Sequence, residues 1–143
     1  MSATVKTIHL DFDGYWREAN KAGVPAKSGI YLAYVCRYSK GGNSVTLDNL
    51  IYIGEAEDVR DRISDHEKWA DWRKEVPKGS EICFSFARVA SPDRERAECA
   101  LINYHKPKCN DECKDSFAYP DTRVESKGRC AKITSPITVR KST

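Results

Sequence analysis

Six residues stand out for the chemistry their side chains could do together: Tyr31, Tyr52, Arg62, His66, Glu98 and Asn110. A lone carboxylate such as Glu98 can hold Mg2+ or Mn2+, ions that take oxygen ligands and keep several waters. Arg62 carries a planar fork of donors that matches two oxygens of a phosphate. A phenol ionises near pH 10, so only about one in a thousand is a base at pH 7, but a neighbouring cation lowers that value. Imidazole titrates near neutrality and can relay a proton. Hydrolysis of a phosphodiester calls on all of these, because it needs a deprotonated water, neutralised phosphate oxygens and a stabilised departing alkoxide.

Taken singly, each residue has an ordinary role. Arg62 could pair with Asp58 or Asp65, and His66 shares an apolar stripe with Val59 and Ile63. Glu98 alone reads as a solvated helix residue, and Asn110 as a turn former after Lys106-Pro107-Lys108. Only their joint order and spacing point further. Arg62 and His66 are four apart, so on a helix they share a face with β-carbons about 5–6 Å from one another.

The elements that must position these groups can be traced from periodicity. Thr4 to Leu10 alternates weakly and meets the turn signal DFDG, which predicts a short edge strand, and Tyr15 to Lys21 predicts a helical turn before Gly23 and Pro25. Ile30 to Tyr38 and Leu50 to Gly54 read as an antiparallel hairpin with a long exposed loop over residues 39–49. Gly29-Ile30-Tyr31 opens its first strand and Tyr52-Ile53-Gly54 closes its second, so both phenols can lie on one face. Asp58 caps a helix running to Lys78, on which Val59, Ile63, His66 and Ala70 recur at helical spacing. Glu81 to Val89 gives a third strand. Ser91, Pro92 and Asp93 supply an N-cap, a first-turn proline and an acid for a helix reaching about Tyr104, with Ala97, Leu101 and Tyr104 on one face. The order is β-β-α-β-α.

The ordered set resembles the GIY-YIG nuclease family, through Gly29-Ile30-Tyr31, through YIGEAEDVRDRISDH from Tyr52 to His66, and through ERAECALINYHKPKCN from Glu95 to Asn110. The resemblance covers a core of about residues 29–110, between an N-terminal extension, 1–28, and a basic C-terminal segment, 123–143, in a single domain spanning 1–143. It implies an α+β fold with a small three-stranded antiparallel sheet flanked by helices, and a metal-dependent endonuclease acting on DNA, duplex or branched. It further implies that Glu98 binds the divalent metal, that Arg62 contacts the phosphate, that Tyr31 and Tyr52 are the active-site phenols, and that Asn110 supports the site. His66 falls where the family places a histidine or a tyrosine. The scheme favoured here makes Tyr31 the immediate base, with neutral His66 taking its proton and Tyr52 orienting water or phosphate. The alternative is a nucleic-acid-binding module of the same fold with weak or no cleavage. One departure favours it: many members carry a lysine just after YIG, where this chain has Glu55, a carboxylate that could touch the metal, pair with Arg60 or Arg62, or weaken activity.

At 143 residues, with 24 Lys and Arg against 21 Asp and Glu, the chain fits one globular domain with an excess of three positive charges. No apolar run is long enough to span a membrane and the start lacks a leader pattern, which predicts a cytoplasmic protein, monomer or homodimer. Six basic residues against Glu125 between 123 and 143 read equally as a solvated tail or a nucleic-acid contact. All six cysteines are expected as reduced thiols, with Cys36, Cys83 and Cys99 in the core. The spacing of His105, Cys109, Cys113 and Cys130 leaves a structural zinc site as a further option.

Overall fold

Strand β2 (Gly29–Ser39) carries eight consecutive buried residues, Gly29 to Cys36, and the fold is built by covering both of its faces. In the computed structural model, which describes residues 5–142, β2 pairs antiparallel with β3 (Ser44–Ala56) on one side and β4 (Glu81–Arg88) on the other. Beyond β4 come β1 (Lys6–Arg17), antiparallel to it, then β5 (Thr122–Gly128), parallel to β1, and β6 (Ile137–Val139), antiparallel to β5. The sheet is therefore six-stranded and mixed, in the order β3-β2-β4-β1-β5-β6. The α+β class stands. The three antiparallel strands expected from sequence form one half of a larger sheet.

The difference lies in the two ends of the chain. β1 is an interior strand of 12 residues rather than a short edge strand, because the alternation of Ile8, Leu10 and Phe12, all buried, runs straight through DFDG. Of the expected strand, Thr4 lies outside the described residues. The helical turn after it is a 3-10 segment, Glu18–Gly23. At the other end Val124, Ile137 and Val139 are buried, so much of the basic segment is sheet and not a solvated tail. Arg140 pairs there with Asp121, and Arg123 with Glu125. The long loop of residues 39–49 is also mostly strand, since only residues 40–43 separate β2 from β3.

The helix expected from Asp58 to Lys78 is broken into α1 (Val59–Ser64) and α2 (Trp69–Lys74). Asp58 does cap it, its carboxylate accepting the Asp61 N–H at 3.0 Å. At the break, the Trp69 indole N–H takes the Ile63 carbonyl at 2.8 Å, replacing a helical partner. α3 (Asp93–His105) starts one residue later than expected, with Pro92 as its N-cap, while the Ser91 hydroxyl bonds Glu95. Ala97, Ala100 and Leu101 are buried but Tyr104 is 49% exposed, so it is not on the packed face. The helix stops at Lys106, whose φ of +48° is left-handed and whose N–H returns to the Ile102 carbonyl, just before Pro107.

α3 covers one face of the sheet with Ile30, Leu32 and Tyr34 beneath it. α1 and α2 cover the other, over Tyr31, Ala33 and Val35. Among the described residues no helix is long and apolar enough to cross a membrane.

The cysteines depart from expectation. Cys36 is bonded to Cys83, and Cys99 to Cys113. The first pair lies on neighbouring strands and the second joins α3 to the following loop, with Cα separations of 6.1 and 5.4 Å that suit a bridge. Cys109 and Cys130 are free. The zinc set is not assembled: Cys113 is committed to Cys99, and His105 Nε2 accepts the Thr134 N–H at 3.4 Å. Among the described residues, the one cluster of three potential ligands is Cys36, Glu81 and Cys83, which includes a bridged pair.

Candidate functional site

Antiparallel register sets Tyr31 opposite Gly54 and Ala33 opposite Tyr52, so the two phenols lie on one face of the β2–β3 hairpin. A bulge between Ala33 and Tyr34 leaves Ile51 as the extra residue of β3, just beyond the regular pairing that places Tyr52. The rings stack with centroids 6.1 Å apart. Gly54 is required here, because a Cβ at that position would land inside the Tyr31 ring. Gly29 is required too, since its Cβ would strike the Ala87 carbonyl and the Phe86 ring. Each glycine of the two tripeptides thus makes room for an aromatic ring or a neighbouring strand.

His66 does not lie on a helix. It falls in the break between α1 and α2, 3% exposed, and packs edge-on to Tyr52 and against Trp72 at 4.6 Å. Its Nδ1 accepts the Lys68 backbone N–H at 3.0 Å. The neutral ring therefore carries its proton on Nε2, which donates to the Tyr31 oxygen at 2.7 Å. This reverses the proton relay expected from sequence: His66 gives Tyr31 a hydrogen bond and does not stand ready to take its proton. Burial, and then the charge of Arg62, pull the imidazole down to about 4, so it is neutral at pH 7.

Burial dominates the phenols as well. It pushes Tyr31 well above the ordinary 10, helped by Tyr52 and Glu98 and opposed by Arg62. Burial and then Glu98 push Tyr52 up to about 12. Both are phenols at neutral pH in the protein alone. Glu98, on α3, is also displaced: burial first, then the carboxylates of Glu55 and Glu112, raise it to about 8.

Tyr31, Tyr52, Arg62, Glu98 and Asn110 line one pocket of about 350 Å³, together with Glu55, Glu67, Lys68, Ile102, Asp111 and Glu112. His66 stands behind it, reaching it through Tyr31. Arg62 is paired with Glu67 through two parallel hydrogen bonds of 2.6 and 2.7 Å, and that pairing pulls Glu67 down to about 2. Asn110 is a positioning residue. Its amide accepts the Ile53 N–H and donates to the Ile53 carbonyl, both at 2.9 Å. The Cys109 N–H adds a bond to the Ile51 carbonyl, so residues 109–110 close the open edge of β3 beside Tyr52.

Glu55 pairs with neither Arg60 nor Arg62. Its partner is Arg94, which also reaches Ser28 and Glu95. Arg94 was legible in principle, since it precedes Glu98 by four residues and so shares its helix face. Lys68, Asp111 and Glu112 carried no such signal, because the helix break and the loop after Pro107 place them.

Five carboxylates line the pocket against two cations, and each cation is already paired. Glu98 sits among repelling carboxylates with its proton held to about pH 8, and a divalent cation would relieve that repulsion. The donor set of Glu98, with Glu55 and Glu112 near it, fits a hard, oxygen-liganded ion.

No family model and no solved structure matches the chain. Among curated proteins it is similar to UvrABC system protein C of Halobacterium salinarum, 29% identical over 119 residues, covering 80% of this chain and 19% of the relative. It is similar also to UvrABC system protein C of Bdellovibrio bacteriovorus, 31% identical over 105 residues, covering 69% and 15% respectively. The protein of that name from Fervidobacterium nodosum is 28% identical over 109 residues, covering 72% and 16%. The chain thus spans less than a fifth of the length of these relatives.

Proposed function

We propose that this chain is a metal-dependent endonuclease domain hydrolysing DNA phosphodiester bonds at the Tyr31–Glu98 pocket. The observation that carries the reading is the convergence of a buried, histidine-bonded phenol, a phosphate-matched arginine and an uncompensated carboxylate on one pocket. Its resemblance to GIY-YIG nucleases in the ordered motifs, and its similarity to proteins named UvrABC system protein C, support the same reading.

Glu98, with Glu55 and Glu112 close by, would hold Mg2+ or Mn2+. When bound, the ion supplies positive charge at the scissile phosphate and beside the phenols. Tyr31 acts as the phenolate, having released its proton to solvent, and takes a proton from the attacking water. His66 Nε2–H holds the phenolate oxygen in place and stabilises its charge, and Arg62 lies close enough to lower its basicity to the same end. Arg62 neutralises two non-bridging oxygens of the phosphate. Tyr52, still protonated, donates to a phosphate oxygen. The leaving alkoxide takes its proton from water.

The test is cleavage of supercoiled plasmid by the purified chain in Mg2+ or Mn2+, with single-stranded DNA, RNA and branched duplex beside it. Open-circle or linear product that disappears in Glu98→Ala supports the reading. Salt-sensitive binding without cleavage in any divalent metal replaces it with the binding-module alternative, and persistent cutting by Glu98→Ala overturns the metal assignment.

A further inference from the structure

The pocket's two cations differ from the other basic group beside it in how they are held. Arg94 is 13% exposed and spends its donors on Glu55, Ser28 and Glu95, a built-in arrangement in which Glu55 is itself 26% exposed. Arg62 and Lys68 are each held by an outlying carboxylate. Glu67, 63% exposed, faces Arg62, and Asp111, 78% exposed, faces Lys68 at 2.5 Å. Asp71 lies 3.8 Å from the same ammonium and is 50% exposed. The single-point Lys68–Asp111 pair, this open to water, contributes little to stability, while Glu67 holds Arg62 by the same two-pronged geometry that a phosphate would use.

Resting on the phosphodiester reading above, we propose that Lys68 is a second phosphate contact beside Arg62, and that Glu67 and Asp111 occupy the phosphate seats until substrate displaces them. The carboxylate of Glu67 presents two oxygens to the guanidinium fork just as two non-bridging oxygens of a phosphodiester would. At the Asp111 seat displacement needs no backbone movement. Asp111 follows Asn110, whose amide is locked to Ile53, so an exposed side chain turns outward on a fixed backbone. Lys68 is fixed as well, because its N–H is the donor to His66 Nδ1. The same residue therefore sets the tautomer that faces Tyr31 through its backbone and meets phosphate through its ammonium. With Glu67 and Asp111 swung out, the α1–α2 segment presents two cations to the pocket that Glu98 lines.

The experiment measures binding of the full chain to a labelled DNA duplex by anisotropy, in Ca2+, across a salt series. The variants are Lys68→Ala, Lys68→Arg and Asp111→Asn, with circular dichroism to check folding. Loss of one phosphate contact is expected to make the log–log salt slope shallower by about 0.9 in Lys68→Ala, and to weaken binding about eightfold near 0.1 M salt. Lys68→Arg should keep the slope. Asp111→Asn, which removes a competitor without touching the lysine, should tighten binding at every salt concentration and lower KM for cleavage in Mg2+. If Lys68→Ala leaves the slope unchanged, or Asp111→Asn binds no more tightly than the parent, Lys68 is a surface ion pair and the proposal is overturned. Failure of the parent chain to bind DNA overturns it too. Binding with the expected slopes but no cleavage in Mg2+ supports the Lys68 contact while rejecting the nuclease reading.

Discussion

Tyr31 and Tyr34 sit three residues apart on β2, both fully buried, on opposite faces of one sheet. Tyr34 donates its hydroxyl proton to the Ala131 carbonyl at 2.7 Å, under the edge of Tyr15, in the face covered by α3. Tyr31 instead receives a hydrogen bond, from His66 Nε2, so its own proton remains uncommitted, and the residue lines a pocket. Burial raises the pKa of both. What separates a packing phenol from one available for chemistry is thus the direction of a single hydrogen bond, and that direction is set by the Lys68 N–H on the far nitrogen of the imidazole.

The largest expected effect comes from the carboxylate that faces Tyr31 and has no counterpart near Tyr34. Glu98→Gln should cut single-turnover plasmid nicking in Mg2+ by at least about a thousandfold, equivalent to several kcal/mol. The same change should stabilise the metal-free protein at high pH. Because Glu98 is raised from 4.5 to about 8, its contribution to stability is full below pH 4.5 and is lost as pH rises through 8. Melting curves should therefore coincide near pH 5 and favour Glu98→Gln at pH 9, with Mg2+ narrowing the gap. Equal melting temperatures at both pH values would remove the burial argument.

Gly54→Ala sharpens the comparison from the packing side. The new methyl displaces the Tyr31 ring and leaves Tyr34 alone, so nicking should fall about a hundredfold while stability drops by about 1–3 kcal/mol. His66 offers a gentler probe. Its pKa is lowered from 6.5 to about 4, so the stability it contributes is present above pH 6.5 and is lost as pH falls through 4, on the order of 3 kcal/mol. Urea titrations of the parent chain at pH 7 and pH 4 should show that loss, and His66→Gln should flatten it. Asn110→Ala should cost about 2 kcal/mol, by leaving the Ile53 N–H and carbonyl without a partner, and slow nicking only modestly.

The half of the molecule that carries the site was the half legible in sequence. β2, β3 and β4 announced themselves through aromatic and β-branched runs, and the motif glycines through their spacing. In β1, Asp and Gly of DFDG obscure the alternation that Ile8, Leu10 and Phe12 continue, and in β5 and β6 charged residues mask Val124, Ile137 and Val139. Apolar residues at helical spacing concealed the break at residues 65–68, and with it the two contacts that orient His66. Bridging of Cys36 with Cys83 and of Cys99 with Cys113 depended on tertiary proximity that spacing does not encode.

The paired substitutions Tyr31→Phe and Tyr34→Phe, assayed side by side for plasmid nicking and thermal stability, test the central claim most directly. Tyr31→Phe is expected to lose about a hundredfold or more in rate, together with about 1 kcal/mol of stability because the buried His66 Nε2–H is left without its acceptor. Tyr34→Phe should keep its rate and lose about 1 kcal/mol of stability, since the Ala131 carbonyl is left unpaired. Equal nicking by the two variants would contradict the assignment of Tyr31 as the base.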